Sequence, residues 1–327
     1  NIIKGTKVIS YDDLKNISKE YNIRNIVLAI TSLSEKRKIT LIKKLIPYSS
    51  NLSTLPVNKN FKKKDVNLEN VSSVSLEDLF KKKSSLNITK LTNLKHKNIL
   101  ITGGAGSIGS ELTKQILKLK ANNIVVLDHS EHNIYKLSKT LNHKKINLIL
   151  GDIKDQSLVE QIIKKFKINY IFHTAAYKHV NILEQNVHVA FKNNILGTYS
   201  LIKSIKNKKI NFIFISTDKA VNPKNILGAT KRIGEILVNY YSLIKDYSDC
   251  KFITVRFGNV IGSDGSALPY FLRQIKSNLP ISLTDKNMER YFMTVSEACS
   301  LVLQSSTLNI KQKILFLDMG KPIKILH

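Results

Sequence analysis

Asn98-Ile99-Leu100-Ile101-Thr102-Gly103-Gly104-Ala105-Gly106-Ser107-Ile108-Gly109 carries an apolar strand pattern straight into a glycine-rich turn and then into a helical pattern. Glycines at 103, 106 and 109 let the backbone turn tightly and approach a pyrophosphate, which then rests on the N-terminus of the helix that Ser107 and Ile108 open. A glycine pattern alone is weak evidence. Here the strand precedes it, the helix follows it, and the next apolar run, Ile124 to Asp128, ends on a carboxylate where a ribose hydroxyl would need one. Asp128 would repel an added 2′-phosphate, so the pattern predicts NAD as cofactor.

Working outward, the same alternation repeats. Strands are predicted at Asn98–Thr102, Ile124–Asp128, Ile146–Leu150, Tyr170–His173, Asn211–Ile215 and Phe252–Phe257. Helices are predicted at Ser107–Lys120, Glu131–Leu141, Leu158–Lys167, Val187–Ile205 and Gly228–Tyr247. Strands alternating with helices imply an α/β fold, a Rossmann-type doubly wound parallel sheet. The last 65 or so residues are less regular and suit a small C-terminal substrate lobe. Gly151-Asp152-Ile153 closes the third strand, so Asp152 and Ile153 are expected beside an adenine.

Residues 1–90 read as a partial N-terminal α/β domain and linker, and residues 91–327 as the nucleotide-binding catalytic domain. In the first unit a short helix opens at Asp12-Asp13-Leu14. Ile26–Ile30 reads as a buried strand, Ser34–Ile46 as a helix and Asn51–Val57 as extended. Lys59–Leu76 reads as a connection and Ser75–Phe80 as a short helix. A chain that opens on Asn1 and stops at His327 just past an apolar run reads as a fragment with an incomplete C-terminus, expected to be poorly active by itself. No run approaches the 18 or so apolar residues of a membrane span.

The net charge is +28, yet only six of the 52 basic residues are arginine, and the lysines are scattered through a Lys-, Asn- and Ile-rich chain. That favours a compositional bias over nucleic-acid binding. Cys250 and Cys299 form no framework, and no metal site is expected.

Two further strand ends carry chemistry. Thr217-Asp218-Lys219 sets a hydroxyl, a carboxylate and an amine side by side at the end of the fifth strand, where ligands of such sheets bind. An acid and a base as neighbours suit a reaction that both removes and delivers protons. Lys231 follows one helical segment later. His173 to Val180 ends the fourth strand, with small Ala175 and Ala176 admitting a cofactor backbone and Lys178 within reach of phosphate or sugar. Asn193 and Asn194 could hold a buried water or a backbone group. Arginine grips phosphate with a planar fork that lysine lacks, which singles out Arg256, Arg273 and Arg290 for a diphosphate. Asn259 and Ser263, past the sixth strand, are further candidates, for the uridine or phosphate that the family resemblance described next implies.

In order along the chain, the glycine turn, His173–Val180, Asn193–Thr198, Ser216–Pro223, Gly228–Arg232, Val255–Val260, Arg290–Thr294 and Leu317–Gly320 resemble the CapD-like polysaccharide-biosynthesis family of extended short-chain dehydrogenase/reductases. Within that family the chain is most similar to the long, membrane-anchored UDP-N-acetylglucosamine 4,6-dehydratases. The likeness is strong from about Asn98 onward and weaker over residues 1–90.

The resemblance implies NAD-dependent oxidation of UDP-N-acetylglucosamine at C4, loss of water across C5 and C6, and return of the hydride to C6. It assigns Lys219 as the base at C5, Asp218 as the acid at C6, Thr217 as partner of the C4 oxygen and Lys231 as holder of the nicotinamide ribose. It also implies a homo-oligomer at the cytoplasmic face of the bacterial inner membrane, anchored only through helices that would precede Asn1. One departure concerns the usual Tyr-x-x-x-Lys: four residues before Lys231 stands Leu227, which exchanges no proton. That agrees with the long dehydratases and speaks against the alternative of a UDP-sugar 4-epimerase. A 5-inverting dehydratase and an inactive NAD-binding module remain as further alternatives.

Overall fold

The computed structural model describes residues 91–263 without a break, most of residues 9–54 and 265–325, and short strands at 2–3, 6–7 and 72–73. The chain divides into two compact units, Asn1–Lys82 and Lys83–His327.

In the first unit, β1 (Ile2–Ile3) pairs with β2 (Thr6–Lys7). After α1 (Leu14–Glu20), β3 (Asn25–Leu28) pairs in parallel with β4 (Asn51–Thr54), and β5 (Ser72–Ser73) adds antiparallel to β4. Helix α2 (Glu35–Leu45) links β3 to β4, with Ser34 Oγ accepting from Arg37 N at its N-cap. Leu28, Ile42, Leu45 and Leu52 form the core. The expected buried strand at Ile26–Ile30 is corrected: β3 is an edge strand, so it buries Leu28 while Val27 and Ile30 stay exposed. The expected helix at 75–80 and most of the connection before it lie outside the described residues.

The second unit is a seven-stranded parallel sheet. Its strands are β6 (Asn98–Thr102), β7 (Asn123–Asp128), β8 (Ile146–Leu150), β9 (Tyr170–His173), β10 (Asn211–Thr217), β11 (Lys251–Phe257) and, near the end of the chain, β15 (Gln312–Phe316). Their spatial order is β15-β11-β10-β9-β6-β7-β8. Helices cover both faces, so the central strands are apolar on both sides, as parallel sheets require. One face packs Ile99, Ile101, Phe172, Ile213 and Val255 under α3 (Ser107–Lys118). The other packs Leu100, Ile171, Phe212, Phe214 and Phe252 under α5 (Gln156–Phe166) and the helices that follow β9 and β10, while α4 (Glu131–Thr140) connects β7 to β8. Strand order reverses between β6 and β9, which opens a crevice beyond the carboxyl ends of those strands.

Three features depart from the sequence expectations. The helix expected over 187–205 is interrupted. After α6 (Val180–Gln185), the chain forms α7 (Val187–Ala190), a π-helical turn at Phe191–Leu196 and α8 (Gly197–Lys203). Strand β10 runs on to Thr217, and α9 covers Ile226–Ser242 with Asn225 Oδ1 accepting from Gly228 N at its cap. The C-terminal part is more regular than expected. It holds β12 (Asn259–Ile261), β13 (Glu289–Arg290), β14 (Phe292–Thr294), α10 (Val295–Ser305) and β16 (Ile323–Lys324), besides β15. Strand β12 pairs in parallel with β14, and β13 pairs antiparallel with β16.

Candidate functional site

The crevice is a cavity of ≈ 510 Å³ lined from the glycine turn, the carboxyl ends of β7 to β11, and β12. At its floor Gly103 has φ +63°, and a Cβ there would stand 2.6 Å from Ala175 Cα, so only glycine fits. A Cβ on Gly109 would collide with the backbone of Gly103 and Gly104. The first turn of α3 is thereby pressed against the strand ends, with Gly106, Ser107, Ile108 and Gly109 on the cavity wall. This cradle, closed to any side chain, fits a dinucleotide pyrophosphate.

Asp128 ends β7 buried. Its Oδ2 accepts from Ala105 N at 3.0 Å and its Oδ1 from Ser130 N at 3.0 Å, which fixes the carboxylate beside the glycine turn. Asp152, Ile153, Ala175, Ala176 and Lys178 all line the same cavity, as do Asn259 and Ser263. The structure thus brings together the residues expected around a nucleotide.

Beneath the cavity lies a polar network. His173 is fully buried, with Nδ1 2.7 Å from Thr102 Oγ1 and Nε2 2.9 Å from Thr198 Oγ1. Thr198 Oγ1 donates to Asn194 O, so it accepts from His173, which places the imidazole proton on Nε2. Burial, and secondarily the Lys231 charge, hold the His173 pKa well below its ordinary value, so the ring is neutral. Asn194 Oδ1 accepts from Tyr177 N at 2.8 Å while its Nδ2 donates to Tyr177 O at 3.1 Å, clamping the loop after β9. Of the two roles open to the Asn193-Asn194 pair, Asn194 takes the backbone one.

On the opposite wall, Thr217 Oγ1 donates to Asp218 Oδ1 at 2.8 Å. Lys219 Nζ reaches that same oxygen at 3.0 Å and Asn259 Oδ1 at 3.2 Å. Thr217 and Lys219 face the cavity, and Asp218 stands directly behind them, near Gly258. Leu227 is buried, lines the cavity, and packs in a cluster with Tyr177 and Leu183.

Lys231 also lines the cavity. Its Nζ donates to Ile215 O at 2.7 Å and lies 4.8 Å from the centre of the Phe214 ring. Burial lowers its pKa to about 8, with the Glu235 charge opposing part of the drop. Below that value the native state holds a buried cation; above it the native state sheds the proton before the unfolded chain does. Stability is therefore expected to rise between pH 8 and the ordinary lysine value near 10.5. Urea midpoints at pH 7 and pH 10 should diverge between wild type and Lys231→Met, with wild type gaining relative to the variant at high pH.

The arginines depart from expectation. Arg256 is corrected: it does not line the cavity but is buried on β11, in register beside Ser216 of β10. Its Nε donates to Glu235 Oε1 at 2.6 Å and its Nη2 to Glu235 Oε2, and its guanidinium stacks over Phe316, 5.1 Å from the ring centre. Ser216 Oγ donates to the same carboxylate at 2.6 Å, and Arg232 Nη1 adds a contact at 3.1 Å. These hydrogen bonds keep Glu235 ionised against its burial. Arg273 is exposed, and Arg290 is half-buried with Nη1 on Glu289 O; neither stands among the cavity residues. Glu235 itself was missed. A glutamate four residues past Lys231 on a buried helix face was the available signal.

The family described as "Polysaccharide biosynthesis protein" matches residues 99–327. The chain is 39% identical to "Capsular polysaccharide biosynthesis protein CapD" of Staphylococcus aureus, over 99% of this chain and 55% of that protein. It is 33% identical to a "UDP-N-acetylglucosamine 4,6-dehydratase (inverting)" of Campylobacter jejuni, over 64% of this chain and 63% of that one. It therefore spans about half the length of CapD. The solved structure of Pen from Bacillus thuringiensis superposes with TM-score 0.68 at 36% identity, covering 71% of each chain. More distant structures sharing the fold hold NAD+. With the family match covering nearly all of the glycine-turn unit, and that unit folded as a Rossmann-type parallel sheet, the chain belongs to the CapD-like polysaccharide biosynthesis proteins of the short-chain epimerase/dehydratase class.

Proposed function

We propose that the catalytic unit performs an NAD-dependent 4,6-dehydration of UDP-N-acetylglucosamine. The observation that carries this reading is that Thr217 and Lys219 stand on the wall of the glycine-turn cavity, both hydrogen-bonded to Asp218 behind them, with apolar Leu227 where a tyrosine acid/base would stand. When bound, NAD supplies the oxidation at C4 and the returning hydride at C6. The chain's residues do the proton work. Moving one proton along the 3.0 Å Lys219–Asp218 bond turns an ion pair into a neutral amine beside a carboxylic acid. Lys219 then takes the C5 proton, acidified by the neighbouring C4 ketone. A C5–C6 double bond forms, the C6–O bond breaks, and Asp218 gives its proton to the departing hydroxyl, which leaves as water; Lys219 gives its proton back to C5 once C6 has been reduced. Asn259, bonded to Lys219, holds the amine in place, and Thr217 is positioned for the C4 oxygen. Lys231 holds the nicotinamide ribose. Lys178 and Ser263 are assigned to the substrate diphosphate and uridine, with Arg290 and Arg273 available only from outside the cavity wall.

Incubation with NAD and UDP-N-acetylglucosamine should yield a product lighter by one water, read by mass spectrometry, with NMR giving the C5 configuration. A product of unchanged mass with inverted C4 would replace this reading by epimerisation. NAD is expected to bind more tightly than NADP, because Asp128 faces the ribose position. Titration of both cofactors should show that preference shrinking in Asp128→Asn by on the order of tenfold, the loss of one charge–charge repulsion near a protein surface.

A further inference from the structure

In a parallel sheet every connection that leads into a strand lies at one edge, opposite the carboxyl edge that forms the cavity. The lysines are scattered along the sequence, but the topology gathers them. Each of the six connections entering β6 to β11 carries an exposed lysine at that edge: Lys97, Lys120, Lys144, Lys167, Lys209 and Lys245. Aspartates face them from one connection alone among the described residues, the one before β11, where Asp246 is already paired with Lys206 at 2.9 Å and Asp249 is exposed. At the cavity edge, by contrast, Asp152, Asp155 and Asp218 offset most of the charge of Lys154, Lys178, Lys219 and Lys224.

Lysines in the last turn of a helix are ordinary, since they complement its dipole. These go further in two respects. First, the connections are tied into one platform. His96 N donates to Lys120 O, Asn122 N to Lys97 O and Asn98 Nδ2 to Lys167 O, while Asn207 N donates to Asp246 O. Second, the four non-glycine residues with positive φ among the described residues are His96, Lys120, Lys167 and Asn207, all in these turns. Lysine stands at two left-handed positions where glycine is the unstrained choice.

We infer that this edge is a docking face for an anionic phospholipid surface. Seven strands spaced about 4.8 Å apart make it roughly 29 Å wide. Its cations are lysines without arginine forks, and among the described residues no exposed phenylalanine, tyrosine or tryptophan stands in these connections to stack on a base, the exposed rings being the imidazoles of His96 and His143. That combination fits a diffuse field of lipid headgroups, to which each lysine adds attraction within a Debye length. A protein so docked turns its substrate cavity away from the bilayer.

The test is co-sedimentation of the chain with vesicles of phosphatidylcholine alone or with 30% phosphatidylglycerol, a composition chosen as roughly that needed for a strong surface potential. The glycerol-lipid vesicles should capture the protein, and 0.5 M salt, roughly a threefold rise over physiological strength, should release it. Changing Lys97, Lys120, Lys144, Lys167, Lys209 and Lys245 to glutamine should weaken capture by on the order of a hundredfold or more. A second variant removes the same charge elsewhere, with glutamine for Lys114, Lys136, Lys139, Lys192, Lys224 and Lys286, and should keep most of the capture. Thermal melting of both verifies folding. Equal loss in the two variants, no capture of the parent, or tighter binding to a DNA duplex than to the vesicles would each overturn the inference.

Discussion

Replacing Lys219 by alanine, or Asp218 by asparagine, is expected to lower dehydration by about 10²–10⁴-fold each, the usual contribution of a positioned acid or base. Cofactor content should not change, because neither side chain belongs to the glycine-turn cradle. The double variant should be little worse than either single one, since the two groups share one proton and act as a unit. Turnover of UDP-N-acetylglucosamine measured beside bound NAD separates the two effects. A wild-type rate in either variant would remove that residue from the mechanism.

The second large effect concerns stability. Glu235→Ala should leave the Arg256 guanidinium buried without its bidentate partner, and Ser216 without an acceptor. Breaking a buried pair from one side costs about 3–5 kcal/mol. For a unit of this size that is a fall of roughly 6–20 °C in Tm. The double change Glu235→Leu with Arg256→Met removes both charges together and should recover much of the loss. The same series decides the role of Arg256. If it gripped a substrate diphosphate, Arg256→Met would raise KM and leave the melting point alone. The structure predicts the reverse, because the guanidinium is occupied by Glu235 and Phe316.

The contrast between Arg256 and Asp128 shows what was legible in the sequence. Asp128 could be placed because strand, turn and helix are adjacent in the chain, so local pattern fixes where its carboxylate points. Arg256 meets a partner 21 residues away on another element, and no local pattern encodes that pairing. The six strands β6 to β11 were legible because each is a short apolar run closed by turn residues. β15 was not, since it is an edge strand in which Ile314 and Phe316 remain exposed and lysine precedes them. Helix α10 was hidden by its small buried side chains, Ala298, Cys299, Ser300 and Ser305, which give little hydrophobic contrast. Its capping pair was nevertheless visible: Thr294 Oγ1 accepts from Glu297 N at 3.1 Å, three residues ahead of a carboxylate.

The π-helical turn at Phe191–Leu196 bears on how the chain tolerates insertion and deletion. A turn that closes with one residue more than an α-helix lets the segment carry an extra residue while the helices on either side keep their seats. That extra room is what sets two amides side by side, Asn193 lining the cavity and Asn194 clamping Tyr177, with Asn193 Nδ2 donating to Asn194 Oδ1 at 3.0 Å. Losing one residue here would heal the segment into an ordinary helix and leave Thr198 beneath His173. The same deletion one turn later, inside α8, would have no slack to absorb it and would rotate every following side chain by about 100°. Tolerance of length change should therefore be confined to these six residues, at the one place where it trades an amide for regularity.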